Sequence, residues 1–127
     1  MAVSDNRPFF LNLIKIRLPV TGFVSIFHRI SGLLMFLAIP FSIYLFDISL
    51  QGQSGFSQAV EILQHPLIQL ISLVLLWSIV HHLIAGIRFL LTDFDIGLEK
   101  HQATLFAWLV FAIEAVLFVV LAVRIYL

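Results

Sequence analysis

Two groups of polar and ionisable residues interrupt stretches otherwise built from leucine, isoleucine, valine and phenylalanine. The first is Ser25, His28, Arg29, Ser31 and Gly32, and the second is His81, His82, Gly86, Arg88 and Asp93. On a helix, Ser25, His28, Arg29 and Gly32 fall at i, i+3, i+4 and i+7 along one stripe. His82, Gly86, Phe89 and Asp93 share one face of a second helix at i, i+4, i+7 and i+11, while His81, Ala85 and Arg88 share a neighbouring face. Neutral imidazole is a good axial ligand for haem iron, and a glycine one turn along removes the side chain that would hold a flat macrocycle off the helix. With no cysteine, the chain offers no thiolate and no cysteine-held iron–sulfur cluster, so histidine is the ligand left for a redox centre. Two plainer readings stand beside this one. Arg29 also suits an arginine that snorkels to the headgroups, and Gly86 suits close packing of two helices.

The elements that position these residues follow from composition. Of 127 residues 61% are hydrophobic and 11% charged, with a mean hydropathy of +1.11, too apolar for a domain that covers its own surface in water. Seven basic residues balance seven acidic ones, which leaves no basic excess to hold nucleic acid. Three apolar stretches, Gly22 to Phe46, Leu67 to Leu91 and Thr104 to Tyr126, each reach the ~20 residues that cross ~30 Å of hydrocarbon as a helix. The alternation of membrane strands is missing, so the expected fold is all-α, three transmembrane helices forming a single membrane-anchor domain over residues 1–127.

Arg7, Lys15, Arg17, Arg29, Arg88 and Lys100 flank one side of these spans. The loop from Asp47 to Pro66 carries no Lys or Arg, and Arg124 alone marks the other side at the C-terminus. The N-terminus is therefore expected on the cytoplasmic side. Phe56, Val60 and Leu63, at i, i+4 and i+7, predict a short helix lying on the membrane surface between the first two spans. The first twenty residues have neither a signal-peptide pattern nor an Arg- and Ser-rich presequence, so a bacterial inner membrane is the expected location.

An ionisable group inside a span costs several kcal/mol, on the order of 2.5 or more, unless it is paired, hydrated or turned towards protein. At ~1.5 Å per residue His28 lies about 9 Å past Gly22, and His82 lies about 13 Å from the cytoplasmic end of its helix. Both groups then face one layer. A haem ligated there would hold its anionic propionates near His28 and Arg29, which gives the arginine a counter-charge.

The stretch Ser25-Ile26-Phe27-His28-Arg29-Ile30-Ser31-Gly32, preceded by Arg7-Pro8 and Ile16-Arg17-Leu18-Pro19, resembles the first signature of the cytochrome b membrane-anchor subunits of succinate dehydrogenase. His82-Leu83-Ile84-Ala85-Gly86-Ile87-Arg88-Phe89, followed by Asp93, resembles the second. The resemblance implies one haem b shared with a second small anchor subunit, and assembly with an iron–sulfur subunit and a flavoprotein subunit. His82 matches the axial ligand of the haem iron, with the second ligand from the partner anchor. His28 and Arg29 match residues beside the propionates, and Arg88 matches the motif arginine near haem or headgroups. Ser25 and Arg29 match residues of the ubiquinone pocket, and Asp93 matches an acidic position near its proton supply. Such a chain is a non-flavin subunit of a succinate:quinone oxidoreductase. The anchor of a fumarate reductase remains an alternative, as does a structural anchor without redox chemistry. His81 receives no role from the resemblance, and Glu114, near the middle of the third span, is expected to be protonated or paired inside the bundle or with a partner chain.

Overall fold

The computed structural model describes residues 18–126. Arg7, Pro8, Lys15, Ile16 and Arg17, which carry part of the charge asymmetry and of the first signature, lie outside the described residues. The described chain is helical throughout, with α1 at Val20–Ser49, α2 at Gly52–Gln64, α3 at Pro66–Asp93 and α4 at Lys100–Tyr126. Helices α1, α3 and α4 are long and apolar enough to span a bilayer, and each extends beyond the stretch expected from the sequence.

Local chemistry explains the helix ends. At the start of α3, Pro66 occupies the first turn, where its missing N–H costs nothing, and the His65 Nδ1 accepts from the Leu67 N–H at 3.3 Å. At the other end Asp95 takes the left-handed conformation, φ 60°, and closes a Schellman motif. The Ile96 N–H donates to the Leu91 carbonyl at 3.0 Å and the Asp95 N–H to the Thr92 carbonyl at 3.1 Å. Gly97, at φ +79°, then turns the chain into α4.

Helix α2 forms where the spacing of Phe56, Val60 and Leu63 placed it. Its buried residues, however, are Gly55 and Ala59, while Phe56 and Leu63 remain exposed. A Cβ at Gly55 would run into the carbonyl oxygen of Ile48 at the end of α1. The small residues therefore face protein and the apolar stripe faces outward, as suits a helix in the interfacial layer.

Helix α3 packs between α1 and α4, and the three meet around Val24, Ala85, Ala107 and Val110, with Ile84, Phe89 and Phe111 against them. Alanine and valine at this contact let the backbones approach closely, which replaces the hydrophobic drive that lipid removes. The Tyr126 hydroxyl donates to the Gln69 carbonyl at 3.4 Å, joining the end of α4 to the start of α3 as antiparallel helices require. Most large side chains face outward, among them Phe36, Leu37, Ile43 and Val116.

Candidate functional site

The two histidine groups meet where α1 crosses α3. The His28 and His82 rings stack with centroids 4.0 Å apart and planes 14° from parallel, and Phe89 meets the His28 ring edge-on at 5.1 Å. Each ring fits against the glycine one turn beyond the other. A Cβ at Gly32 would lie 3.1 Å from His82 Cε1, and one at Gly86 would lie 3.5 Å from His28 Nε2. The repeated spacing, His28 to Gly32 and His82 to Gly86, is thus a reciprocal packing device: each helix supplies one ring and the space for one.

Hydrogen bonding fixes the tautomer of His82. Its Nδ1 lies 3.1 Å from the His28 carbonyl and 3.2 Å from Ser31 Oγ. The Ser31 hydroxyl already donates to the same carbonyl at 2.8 Å, so both neighbours of Nδ1 act as acceptors and Nδ1 carries the proton. Nε2 keeps its lone pair and has no partner among the described residues. An imidazole whose Nδ1–H is held by a carbonyl, with Nε2 free, is the form in which histidine binds iron.

His28 and His82 could not serve as opposite ligands of one metal ion, since two such imidazoles would approach it end-on from opposite sides and these rings lie face to face. Among the described residues there is no group of three His, Cys, Asp or Glu suited to a bare metal ion. A haem iron already has four ring nitrogens, so a single histidine of this chain would be enough to hold one.

Ser25 is half-buried one turn before His28 and makes no hydrogen bond to a described residue, whereas Ser31, Ser42 and Ser78 donate to carbonyls of their own helices. Arg29 is exposed beside it, without an acidic partner among the described residues. Asp93 is exposed at the end of α3.

Arg88 falls on a different side of α3. It is buried towards α4, with Nη2 3.5 Å from the Ala103 carbonyl, its guanidinium 5.4 Å from the Phe89 ring centre, and Nε without a partner among the described residues. His81 and Ala85 share that face and are fully buried. Here the structure supplies a pairing absent from the sequence reading: His81 Nδ1 lies 2.7 Å from Glu114 Oε2, and both side chains are buried. A separate apolar cleft of about 410 Å³, lined by Leu34, Phe41, Leu45, Ile68 and Leu75, has no ionisable residue in its wall.

The chain is similar to known membrane proteins. Residues 3–121 match the family described as succinate dehydrogenase/fumarate reductase transmembrane subunit. A succinate dehydrogenase cytochrome b556 subunit of Coxiella burnetii is 31% identical over 125 residues, covering 98% of this chain and 100% of that protein. A cytochrome b560 subunit of succinate dehydrogenase from Reclinomonas americana is 32% identical over 86% of this chain and 89% of its own. A b556 subunit from Paracoccus denitrificans is 31% identical over 77% and 75%. With three apolar helices, paired histidines between the first and second of them, and a family match over nearly its whole length, the chain belongs to the succinate dehydrogenase/fumarate reductase transmembrane subunit family.

Proposed function

We propose that this chain is the cytochrome b anchor of a succinate dehydrogenase, holding one haem b through His82 and contributing Ser25 and Arg29 to a ubiquinone-reduction site. The observation that carries the reading is the state of His82, its Nδ1–H tied to the His28 carbonyl and Ser31 and its Nε2 without a partner among the described residues. Bound there, haem b would supply a one-electron relay. His28, stacked beside His82, is not placed to bind the same iron, so a further ligand would have to come from a second small anchor subunit. His28 and Arg29 lie next to the ligand and suit the propionate edge.

Reducing a quinone to a quinol takes two electrons and two protons. The cationic Arg29 and the Ser25 hydroxyl, which bonds to no described residue, stand one helical turn apart and donate to a quinone oxygen as negative charge develops on it. Asp93, exposed at the end of α3, connects that layer to water. Electrons arrive from an iron–sulfur subunit and originally from a flavoprotein subunit, both docked on the cytoplasmic side of a bacterial inner membrane. The N-terminus faces that same side, and the whole chain acts as one anchor unit.

Complex purified through this chain is expected to show a haem Soret band; an assembled complex without haem overturns the reading. Ser25→Ala removes one neutral hydrogen bond of roughly 0.5 to 1.5 kcal/mol, so quinone reduction is expected to fall about 2- to 10-fold. Arg29→Leu removes a charge-assisted donor and is expected to cost more. Electron transfer from succinate to a soluble artificial acceptor is expected to survive both changes. Unchanged quinone turnover in both assembled variants would move the pocket elsewhere.

A further inference from the structure

The His81–Glu114 pair connects all three spanning helices. His81 Nδ1 is 2.7 Å from Glu114 Oε2 on α4, and on the opposite edge of the ring Nε2 is 3.5 Å from the Val24 carbonyl on α1. The ring faces Trp77 at 5.4 Å with planes 23° apart, and Phe27 meets it edge-on at 6.0 Å. His81 is fully buried and Glu114 is 6% exposed, so neither side chain is free to reorient.

We infer that His81 and Glu114 are positioning residues, a polar bridge from α4 through α3 to α1 that sets the rotation of α3 and thereby aims the next residue, His82. The inference rests on the reading of His82 as a haem ligand. Consecutive histidines on α3 engage carbonyls one turn apart on α1: His81 faces that of Val24 and His82 donates to that of His28. The two contacts fix one angle of α3 about its axis. The hydrogen bonds to His82 hold it through Nδ1 only, since its Nε2 must stay open for the metal. The second constraint comes from Glu114 acting through His81.

Geometry shows why the angle matters. The imidazole Nε2 stands roughly 6 to 7 Å from the helix axis, so about 10° of rotation carries it roughly 1 Å. Metal–ligand distances hold to about 0.2 Å, and a site 1 Å too loose fails. The small, smooth side chains of Val24, Ala85, Ala107 and Val110 add little of that precision, which leaves it to the ring–glycine contacts and the polar bridge. A buried ionisable pair is an inefficient source of stability compared with apolar side chains of equal volume, and its better-attested use is to specify register.

The test uses the assembled complex and the low-temperature electron paramagnetic resonance of oxidised haem, which reports ligand orientation rather than activity. Glu114→Leu is expected to broaden and shift the low-spin signal, and Glu114→Gln, whose amide still bonds His81, to restore it. The double variant His81→Phe with Glu114→Leu leaves no orphaned polar group. It is expected to assemble and bind haem with the same broadened signal. A double variant with the wild-type signal overturns the inference, and so does one that fails to assemble, because the pair is then a requirement of folding. His82→Ala separates the two layers: an unchanged signal there removes the ligand reading itself, whatever Glu114 does.

Discussion

Replacing Gly32 by alanine places one methyl group 3.1 Å from Cε1 and 3.4 Å from Nδ1 of His82. The ring has little room to retreat. Its Nδ1 is bonded to the His28 carbonyl at 3.1 Å and to Ser31 Oγ at 3.2 Å, and the His28 ring lies 4.0 Å from it. Accommodating the methyl requires a shift of a few tenths of an ångström, which stretches those bonds or moves α1 away from α3. Alanine within a helix is better than glycine by about 1 kcal/mol, while overpacking a tight contact costs about 1 to 3 kcal/mol. The net expectation is a loss of roughly 0 to 2 kcal/mol. The haem signature should respond more strongly, because a metal bond tolerates only about 0.2 Å. The control is Gly22→Ala, where the nearest atom is the flexible Leu18 Cδ2 at 3.5 Å and alanine is expected to be neutral or mildly stabilising. Thermal unfolding of the complex, followed at the Soret band, measures stability, and the optical and magnetic resonance spectra report the ligand. A Gly32→Ala complex as stable as Gly22→Ala, with an unaltered haem spectrum, would refute the claim that Gly32 clears space for His82.

Two further substitutions probe the turns that hold the bundle together. Gly97→Ala forces a β-carbon into a φ of +79° and against the Phe106 ring, so it is expected to destabilise by about 1 to 2 kcal/mol from handedness alone, measured as a lowered unfolding temperature. Gly55→Ala pushes a methyl into the Ile48 carbonyl; a cost of about 1 to 3 kcal/mol should loosen α2, read as faster proteolysis between residues 50 and 66. Unchanged proteolysis would show that α2 does not depend on that contact.

Much of this arrangement was legible because the bilayer simplifies the code. A run such as Leu33 to Ile39 is apolar on every face, which only a lipid-immersed helix satisfies, so the spans stood out. The assignment of His82, Gly86, Phe89 and Asp93 to one face of α3 and of His81, Ala85 and Arg88 to its neighbour followed from 100° per residue. In the structure His82, Gly86 and Phe89 meet His28, Asp93 is exposed at the helix end, and the second set turns to α4. The matched depth of His28 and His82 followed from 1.5 Å per residue in the same way.

The His81–Glu114 pair was not read, although its signal was present. His81 lies 12 residues from the end of α3 at Asp93 and Glu114 lies 14 residues from the start of α4 at Lys100, so the two reach nearly the same depth. Two unassigned ionisable groups at one depth on consecutive spans are natural partners. What depth alone could not give was the azimuth of α4, whose run from Leu105 to Val123 is apolar on all sides apart from that glutamate. The outward turn of Phe56 and Leu63 agrees with the surface helix that their spacing predicts, but which residues of α2 would touch the end of α1 was hidden, because the apolar stripe does not say where protein meets the helix. The burial of Gly55 against the end of α1 settled that point.

The claim that His82 is this chain's ligand to haem iron is tested most directly by the low-spin resonance of the assembled complex in wild type and His82→Ala, before and after addition of free imidazole. His82→Ala is expected to lose the low-spin signal and gain a high-spin one, and imidazole entering the space left by the ring is expected to restore low spin. A low-spin signal identical to wild type in His82→Ala without imidazole would contradict the assignment.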